Sequence, residues 1–351
     1  MSGADAPSDD PLPSDPIRRS PLRTLLRVVL SITFVLTLVA GGVVAWGFHA
    51  FDAAGPLRDP LTLVIPKGLG VEAIARRLAE AGVVREPLVL SLAVRMKRQA
   101  HSLRAGEYEF PAGVTPRGVL DMLESGRTVV RRVTVPEGWT TTQIVALLAD
   151  TAGLEGVLLA RPGEGTLLPE TYHFSYGDSR LALIKRMEGA MQQALDELWP
   201  HRAPDLPYAT PDEAVILASI VEKETSVEAE RPRVAAVFIN RLRRGMRLDA
   251  DPTVIYALTR GAQALDRPLS RADLARDDPY NTYRNTGLPP GPIACPGRAS
   301  LAAVLNPAET RELFFVAAGN GGHVFAETLD DHNRNVARLR RLERESEGTT
   351  P

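Results

Sequence analysis

The chain has 351 residues, of which 44% are hydrophobic and 24% charged, with a formal net charge of −2. That length suits two domains of ordinary size, and the near-neutral balance gives no electrostatic reason to expect a nucleic-acid partner. Cys295 is the only cysteine, which excludes an intrachain disulfide.

Met1 to Pro16 is rich in Ser, Asp and Pro and poor in core-forming residues, so a disordered tail is expected over residues 1–23. Arg18, Arg19, Arg23 and Arg27 lead into an uncharged run from Val28 to Phe48. About twenty apolar residues cross a hydrocarbon core as a helix, so a transmembrane helix is expected over residues 24–48. The arginines before it predict a cytoplasmic N-terminus and an exported remainder. A cleaved signal peptide competes with this reading, but the apolar stretch is long for one and no small-x-small site follows. Phe51 to Asp59 reads as a short linker.

A pattern then recurs three times, from Leu61, Tyr108 and Val133. Each copy has an apolar strand, a Pro-x-Gly turn (Pro66/Gly68, Pro111/Gly113, Pro136/Gly138), and a helix with apolar spacing of three and four. Thr115 and the Thr140–Thr142 run suit N-caps. Units this small cannot bury their apolar faces alone, so the copies are expected to pack together. They serve either as a polymer-binding module or as a spacer.

Thr166 to Phe174, TLLPETYHF, reads as an aromatic loop with one acid, Glu170, either lining a cleft or purely structural. Ser179 is placed as the cap of a long helix with Leu181, Ile184, Met187, Met191, Leu195 and Leu198 on its core face.

Pro211 to Ser226 predicts the central helix. At about 100° per residue, Glu224 falls within about 20° of Leu217 and so continues the most apolar stripe. Glu222 lies roughly 140° away, so the two glutamates do not share a site. A carboxyl group on an apolar stripe loses hydration, its pKa rises, and it becomes a candidate general acid. The plain alternative is a helix end reaching solvent, with Glu224 paired to Lys223 or Arg231.

A helix over Val234–Leu242 follows, and then another with Asp251 as N-cap and Pro252 at its first position. Pro279 to Gly297 is a long Pro/Gly loop whose Tyr and Asn side chains suit sugar hydroxyls and N-acetyl groups. Leu313–Ala317 and His323–Ala326 flank a Gly-rich turn and predict a hairpin. A charged helix to about Arg344 closes the chain. His323 and His332 lack a third ligand at metal spacing, so neither a metal nor another cofactor is expected.

Taken in order, ILASIVEKET, VFINRLRRGMRLDADPTVIYAL, LSRADL, YNTYRNTGLPPGPIACPG and GGHVFAETLDDHN resemble the endolytic murein transglycosylase family, also called YceG-like. The likeness spans nearly all of the exported part. It implies an α+β chain with an N-terminal transmembrane helix, a small LysM-like module over residues 60–130 and a catalytic domain over residues 131–345. It implies a bacterial inner-membrane enzyme facing the periplasm, with peptidoglycan glycan strands as substrate and peptidoglycan synthases as neighbours. Such enzymes cut between N-acetylmuramic acid and N-acetylglucosamine and leave 1,6-anhydro ends. The family's key acid is the second glutamate of its E-K-E-T motif, which is Glu224 here. Glu170, Asn281 and Tyr283 also fall in family motifs and are candidates for substrate binding on their chemistry. A water-using muramidase, which needs a second acid near Glu224, and a non-catalytic peptidoglycan-binding scaffold remain as alternatives.

Overall fold

A computed structural model of the chain describes residues 21–96, 102–158, 161–319 and 321–347. It divides into two units, 1–127 and 128–351. Most of the tail expected to be disordered, residues 1–20, lies outside the described residues. Residues 21–23 already belong to a helix.

The first unit begins with α1 (Pro21–Asp52), in which Leu25–Asp52 is long and apolar enough to cross a membrane. Then follow β1 (Leu61–Ile65), α2 (Val71–Glu80), α3 (Pro87–Met96), β2 (Gly106–Phe110) and α4 (Pro116–Ser125). The strands pair antiparallel, with Leu61 opposite Phe110 and Ile65 opposite Gly106. The helices cover one face of this ribbon and bury Ile65, Leu78, Tyr108, Phe110, Leu120 and Leu123. The Pro-x-Gly turns are what fold each strand back on its helix: Gly68 has φ +82° and Gly113 φ +66°, values that a residue with a Cβ reaches only at a cost. Thr115 caps α4 by accepting from the Gly118 amide.

The stretch expected as a linker, Phe51 to Asp59, is tied to the first unit at several points. Phe51 is 8% exposed and belongs to this core, with the Arg117 guanidinium 4.9 Å above its ring. Asp52 accepts a 2.6 Å hydrogen bond from Arg117 Nε. The Gly55 amide donates to the Val114 carbonyl, and a Cβ at Gly55 would sit 2.4 Å from that oxygen. The apolar run of α1 therefore continues without a break into the first unit's core.

The second unit opens with the third strand–turn–helix copy, β3 (Val130–Thr134) and α5 (Thr141–Asp150). The expectation that all three copies pack together is corrected. The first two pair with each other, whereas β3 pairs antiparallel with β5 (Thr171–Ser175), Val133 facing Tyr172. So TLLPETYHF is not a loop throughout. Its Tyr172 and Phe174 alternate inward against Thr171 and His173, the period of a half-buried strand. β4 (Leu154–Glu155) runs parallel to β6 (Asp178–Ser179).

α6 (Arg180–Leu198) follows, with Ser179 in the N-cap position but making no capping bond through its side chain. Its core face carries Leu183, Ile184, Met187, Met191 and Leu195, while Leu181, placed on that face by spacing, is 55% exposed. The remaining elements are α7 (Pro211–Glu224), α8 (Arg231–Arg243), α9 (Asp251–Thr259), α10 (Arg271–Leu274), α11 (Arg298–Leu305), the antiparallel pair β7 (Phe314–Ala317) and β8 (His323–Ala326), and α12 (Leu329–Glu347). α7 is central: Leu217, Ala218, Ile220 and Val221 are fully buried, and the helix packs on both α8 and α11.

Candidate active site

The site is built on the last turn of α7. Thr210 and Glu213 form a reciprocal capping box at the other end, so the helix starts at a fixed residue and its phase is set. That phase sends the two C-terminal glutamates in different directions. Glu222 has a 5% exposed side chain and accepts from Arg231 and from the Gly297 amide, 3.1 and 3.0 Å. It joins α7 to the start of α8 and to the long loop before α11. It is Glu222, not Glu224, that pairs with Arg231.

Glu224, the last residue of α7, keeps a little solvent-accessible surface, yet its carboxyl is enclosed as an interior group would be. Burial is the main cause of its raised pKa, the negative charge of Asp251 adds to it, and Arg241 opposes it; together they push Glu224 up to about 8. Its carboxyl is therefore held protonated near neutral pH.

Asp251 does not cap α9. Ala250 occupies the N-cap position and Asp251 the first helical one, which frees its side chain to accept a 2.6 Å hydrogen bond from Tyr283 Oη. That phenol is half-buried, and desolvation first, then the Asp251 bond and the charges of Asp251, Asp249 and Glu224, raise its pKa well beyond the ordinary tyrosine value. Asp249, two residues earlier, has φ +49° without being glycine, a costly conformation that places its carboxylate 3.6 Å from Arg241. Arg241 also donates to the carbonyls of Leu248 and Leu313, so the one buried cation of the group is held by three elements. Glu224, Asp251, Asp249, Arg241 and Tyr283 thus form one electrostatically coupled cluster.

The loop of residues 279–297 is fixed from beneath. Asn281 is fully buried. Its amide nitrogen donates to the carbonyls of Leu274 and Arg276, and its amide oxygen accepts from the Tyr283 N–H. In this arrangement the Asn281 side chain is used up in orienting the backbone that carries Tyr283. Thr282 repeats the device by bonding the Ala250 amide and the Thr253 hydroxyl. Glu170 is exposed just before β5; its backbone carbonyl accepts from Val135, and no bond ties it to the Glu224 cluster among the described contacts. Cys295 is buried with its thiol pushed up to about 11, which makes it unreactive at neutral pH.

Asp251 and Lys223, the residue beside Glu224 in sequence, both line a cleft of about 540 Å³ whose other walls come from α9, the start of α5 and residues 263–269. Pro252, Ile255 and Ile293 give it an apolar surface, and Thr140, Gln143 and Tyr256 give it polar groups. Glu224 is not itself among the lining residues; Asp251 couples the cleft to it electrostatically, and a mixed surface of this kind suits a polar polymer.

Sequence reasoning favoured another role for one of these residues and passed over a second. Asp251 looked like a cap because a proline follows it. Arg241 carried a usable signal: it continues the buried stripe of Val234 and Phe238 on α8, as Glu224 continues that of α7.

Residues 63–338 match the sequence model of the YceG-like family. The chain is 33% identical over 336 residues to a Bacillus subtilis protein named endolytic murein transglycosylase, across 85% of this chain and 90% of the relative. It is 29% identical over 359 residues to a Streptococcus pneumoniae protein of the same name, across 88% of this chain and 64% of that longer relative. A crystal structure of a YceG-like protein from Listeria monocytogenes is 29% identical and superposes with a TM-score of 0.49, over 79% of this chain and 99% of that one.

Proposed function

The chain belongs to the YceG-like family, and from that premise we propose that it is a membrane-anchored lyase that cuts peptidoglycan strands internally, with Glu224 as its acid. What supports this reading is the geometry around Glu224 at the end of α7: a carboxyl whose pKa burial raises to about 8, electrostatically coupled to Asp251, which lines a cleft of suitable chemistry.

Glu224 gives its proton to the oxygen bridging N-acetylmuramic acid and N-acetylglucosamine, and the C1–O bond breaks towards that oxygen. Positive charge develops at C1 of the muramic residue. Glu224, now ionised, takes the proton from the C6 hydroxyl of the same sugar as its oxygen bonds to C1. The products are a free 4-hydroxyl and a 1,6-anhydro end, with no water consumed. The carboxylate of Asp251, held by Tyr283, stabilises the charge at C1 and favours the return of a proton to Glu224. Tyr283 and Glu170 contact the glycan, and Asn281 acts through the loop it holds.

In the same reading, residues 60–130 are a LysM-like module that grips the strand and residues 131–345 the catalytic domain. α1 spans the bacterial inner membrane once, with its N-terminus cytoplasmic and the catalytic part periplasmic. Cutting nascent strands beside peptidoglycan synthases then ends their elongation.

A water-using muramidase is the second reading, because Asp251 supplies the further acid near Glu224 that it needs. Uncrosslinked glycan strands incubated with the protein separate the two by mass. Transglycosylation gives fragments lighter by one water than hydrolysis does. Reducing ends alone overturn the lyase reading, and uncut strands overturn both.

A further inference from the structure

Outside α1, the large apolar side chains exposed on the described surface of the first unit are Leu69, at 37%, and three on α3. α2 exposes Glu72, Arg76, Arg77 and Glu80, and α4 exposes Arg117, Asp121 and Ser125. α3 exposes Leu88, Leu92 and Met96, at 71%, 56% and 76%. These positions are four residues apart, so they form one stripe drifting by about 40° per step along the helix. Val89, Leu90 and Val94 on the opposite side are buried in the unit's core. α3 carries no acid, and its one charged residue is Arg95.

α1 sets how near this unit lies to lipid. Twenty residues from Val28 reach Gly47 and span about 30 Å, the thickness of a hydrocarbon core. Phe51 lies four residues further on, about 6 Å along the axis and still within the headgroup layer. Yet Phe51 is part of the unit's hydrophobic core and Asp52 is tied to Arg117. No slack separates membrane from module, so part of the module's surface must meet lipid. α3 packs against α1.

Resting on the reading of α1 as a membrane span, we infer that α3 is an interfacial helix: Leu88, Leu92 and Met96 dip into the outer-facing surface of the bilayer that α1 crosses. Amphipathic helices lie in that plane with the apolar face down and cations among the headgroups. The contact fixes the orientation of the module on the membrane, where a single helix alone would leave it free to rotate and tilt.

The full chain in vesicles of mixed zwitterionic and anionic phospholipid provides the test. A nitroxide is attached at Leu88→Cys or Leu92→Cys, at Arg76→Cys as the aqueous reference, and at Leu36→Cys as the lipid reference. Cys295 is buried, which leaves the introduced thiol as the labelling site. Collision rates with oxygen, which partitions into lipid, and with a water-soluble nickel chelate are compared. The inference requires an oxygen-to-nickel ratio at 88 and 92 several-fold above that at 76. Equal ratios at 92 and 76 with a lipid-like ratio at 36 overturn it and leave the span standing. A water-like ratio at 36 overturns span and inference together. Shielding of 88 and 92 from both reagents overturns the lipid contact in favour of a protein cover, a second copy or another partner.

Discussion

Glu224 is a costly residue for this fold. In the unfolded chain its carboxyl ionises near the ordinary glutamate value, whereas in the folded chain it does so at about 8. The folded state therefore holds a proton that the unfolded state has lost, between about pH 4.5 and 8. The associated stability is fully present below pH 4.5 and is lost as pH rises through 8. Glu224→Gln keeps the shape and removes the ionisation, so its melting temperature should exceed that of the wild type at pH 8.5 by more than it does at pH 5. Thermal unfolding at the two pH values measures this, and an equal margin at both would show that Glu224 is not desolvated. The same substitution should lower strand cutting by about a thousandfold or more, the scale of losing a general acid. Activity in the wild type should fall as pH rises past about 8, where Glu224 ionises. Asp251→Asn removes the charge that helps raise it, so this limb should move down, on the order of one pH unit. A pH profile of cutting rate under subsaturating substrate reads both limbs, and an unmoved limb in Asp251→Asn would separate Asp251 from the acid.

At the scale of the element, the last turn of α7 divides its two glutamates between chemistry and scaffold. Glu222 is enclosed with Arg231, and its other oxygen receives the Gly297 amide. Glu222→Gln leaves a buried guanidinium short of one counter-charge, with Glu137 remaining. The expected loss is about 1–3 kcal/mol of stability. Its pH limb should stay with that of the wild type, because Glu222 does not set the proton affinity of Glu224. Calorimetry together with the pH profile checks both halves. This division was legible in the sequence, since an α-helix places residues 222 and 224 about 160° apart and the apolar stripe singles out one of them. The settings of Asp249 and Asp251 were not. They depend on the hydrogen bonds that Thr282 accepts from the Asp249 and Ala250 amides and that Tyr283 donates to Asp251, some thirty residues away, and no local pattern encodes such a pairing. Asn281 was legible as a notable residue but not in its role. An exposed and a buried amide read alike until the carbonyls of Leu274 and Arg276 are found around it. Asn281→Ala should leave both carbonyls without a donor and cost about 2–3 kcal/mol.

Across the whole chain, local periodicity gave the strands, turns and helices of all three strand–turn–helix copies, because each copy carries its own strand pattern and Pro-x-Gly signal. It could not give their partners. β1 and β2 pair with each other, while β3 takes β5, whose inward Tyr172 and Phe174 were hidden in a segment that looked like loop. The same limit explains Phe51. It follows the apolar run of α1 directly and reads as the start of a linker, because nothing near it in sequence shows that Arg117, Val114 and the core lie against it. The consequence concerns any soluble form of the protein. A chain beginning at His49 keeps Phe51, the Asp52–Arg117 pair and the Gly55–Val114 backbone bond, whereas one beginning at Pro60 loses all three. Removing a buried phenylalanine costs about 3–5 kcal/mol where the site cannot collapse, and less at a chain end that frays. The shorter chain should therefore unfold its first unit at lower denaturant, and amide exchange should rise at Val114 and along α4. The second unit's core of α7, α8 and α11 should exchange as before. Equal protection of α4 in both forms would return residues 51–59 to the status of a linker and loosen the coupling between membrane and module.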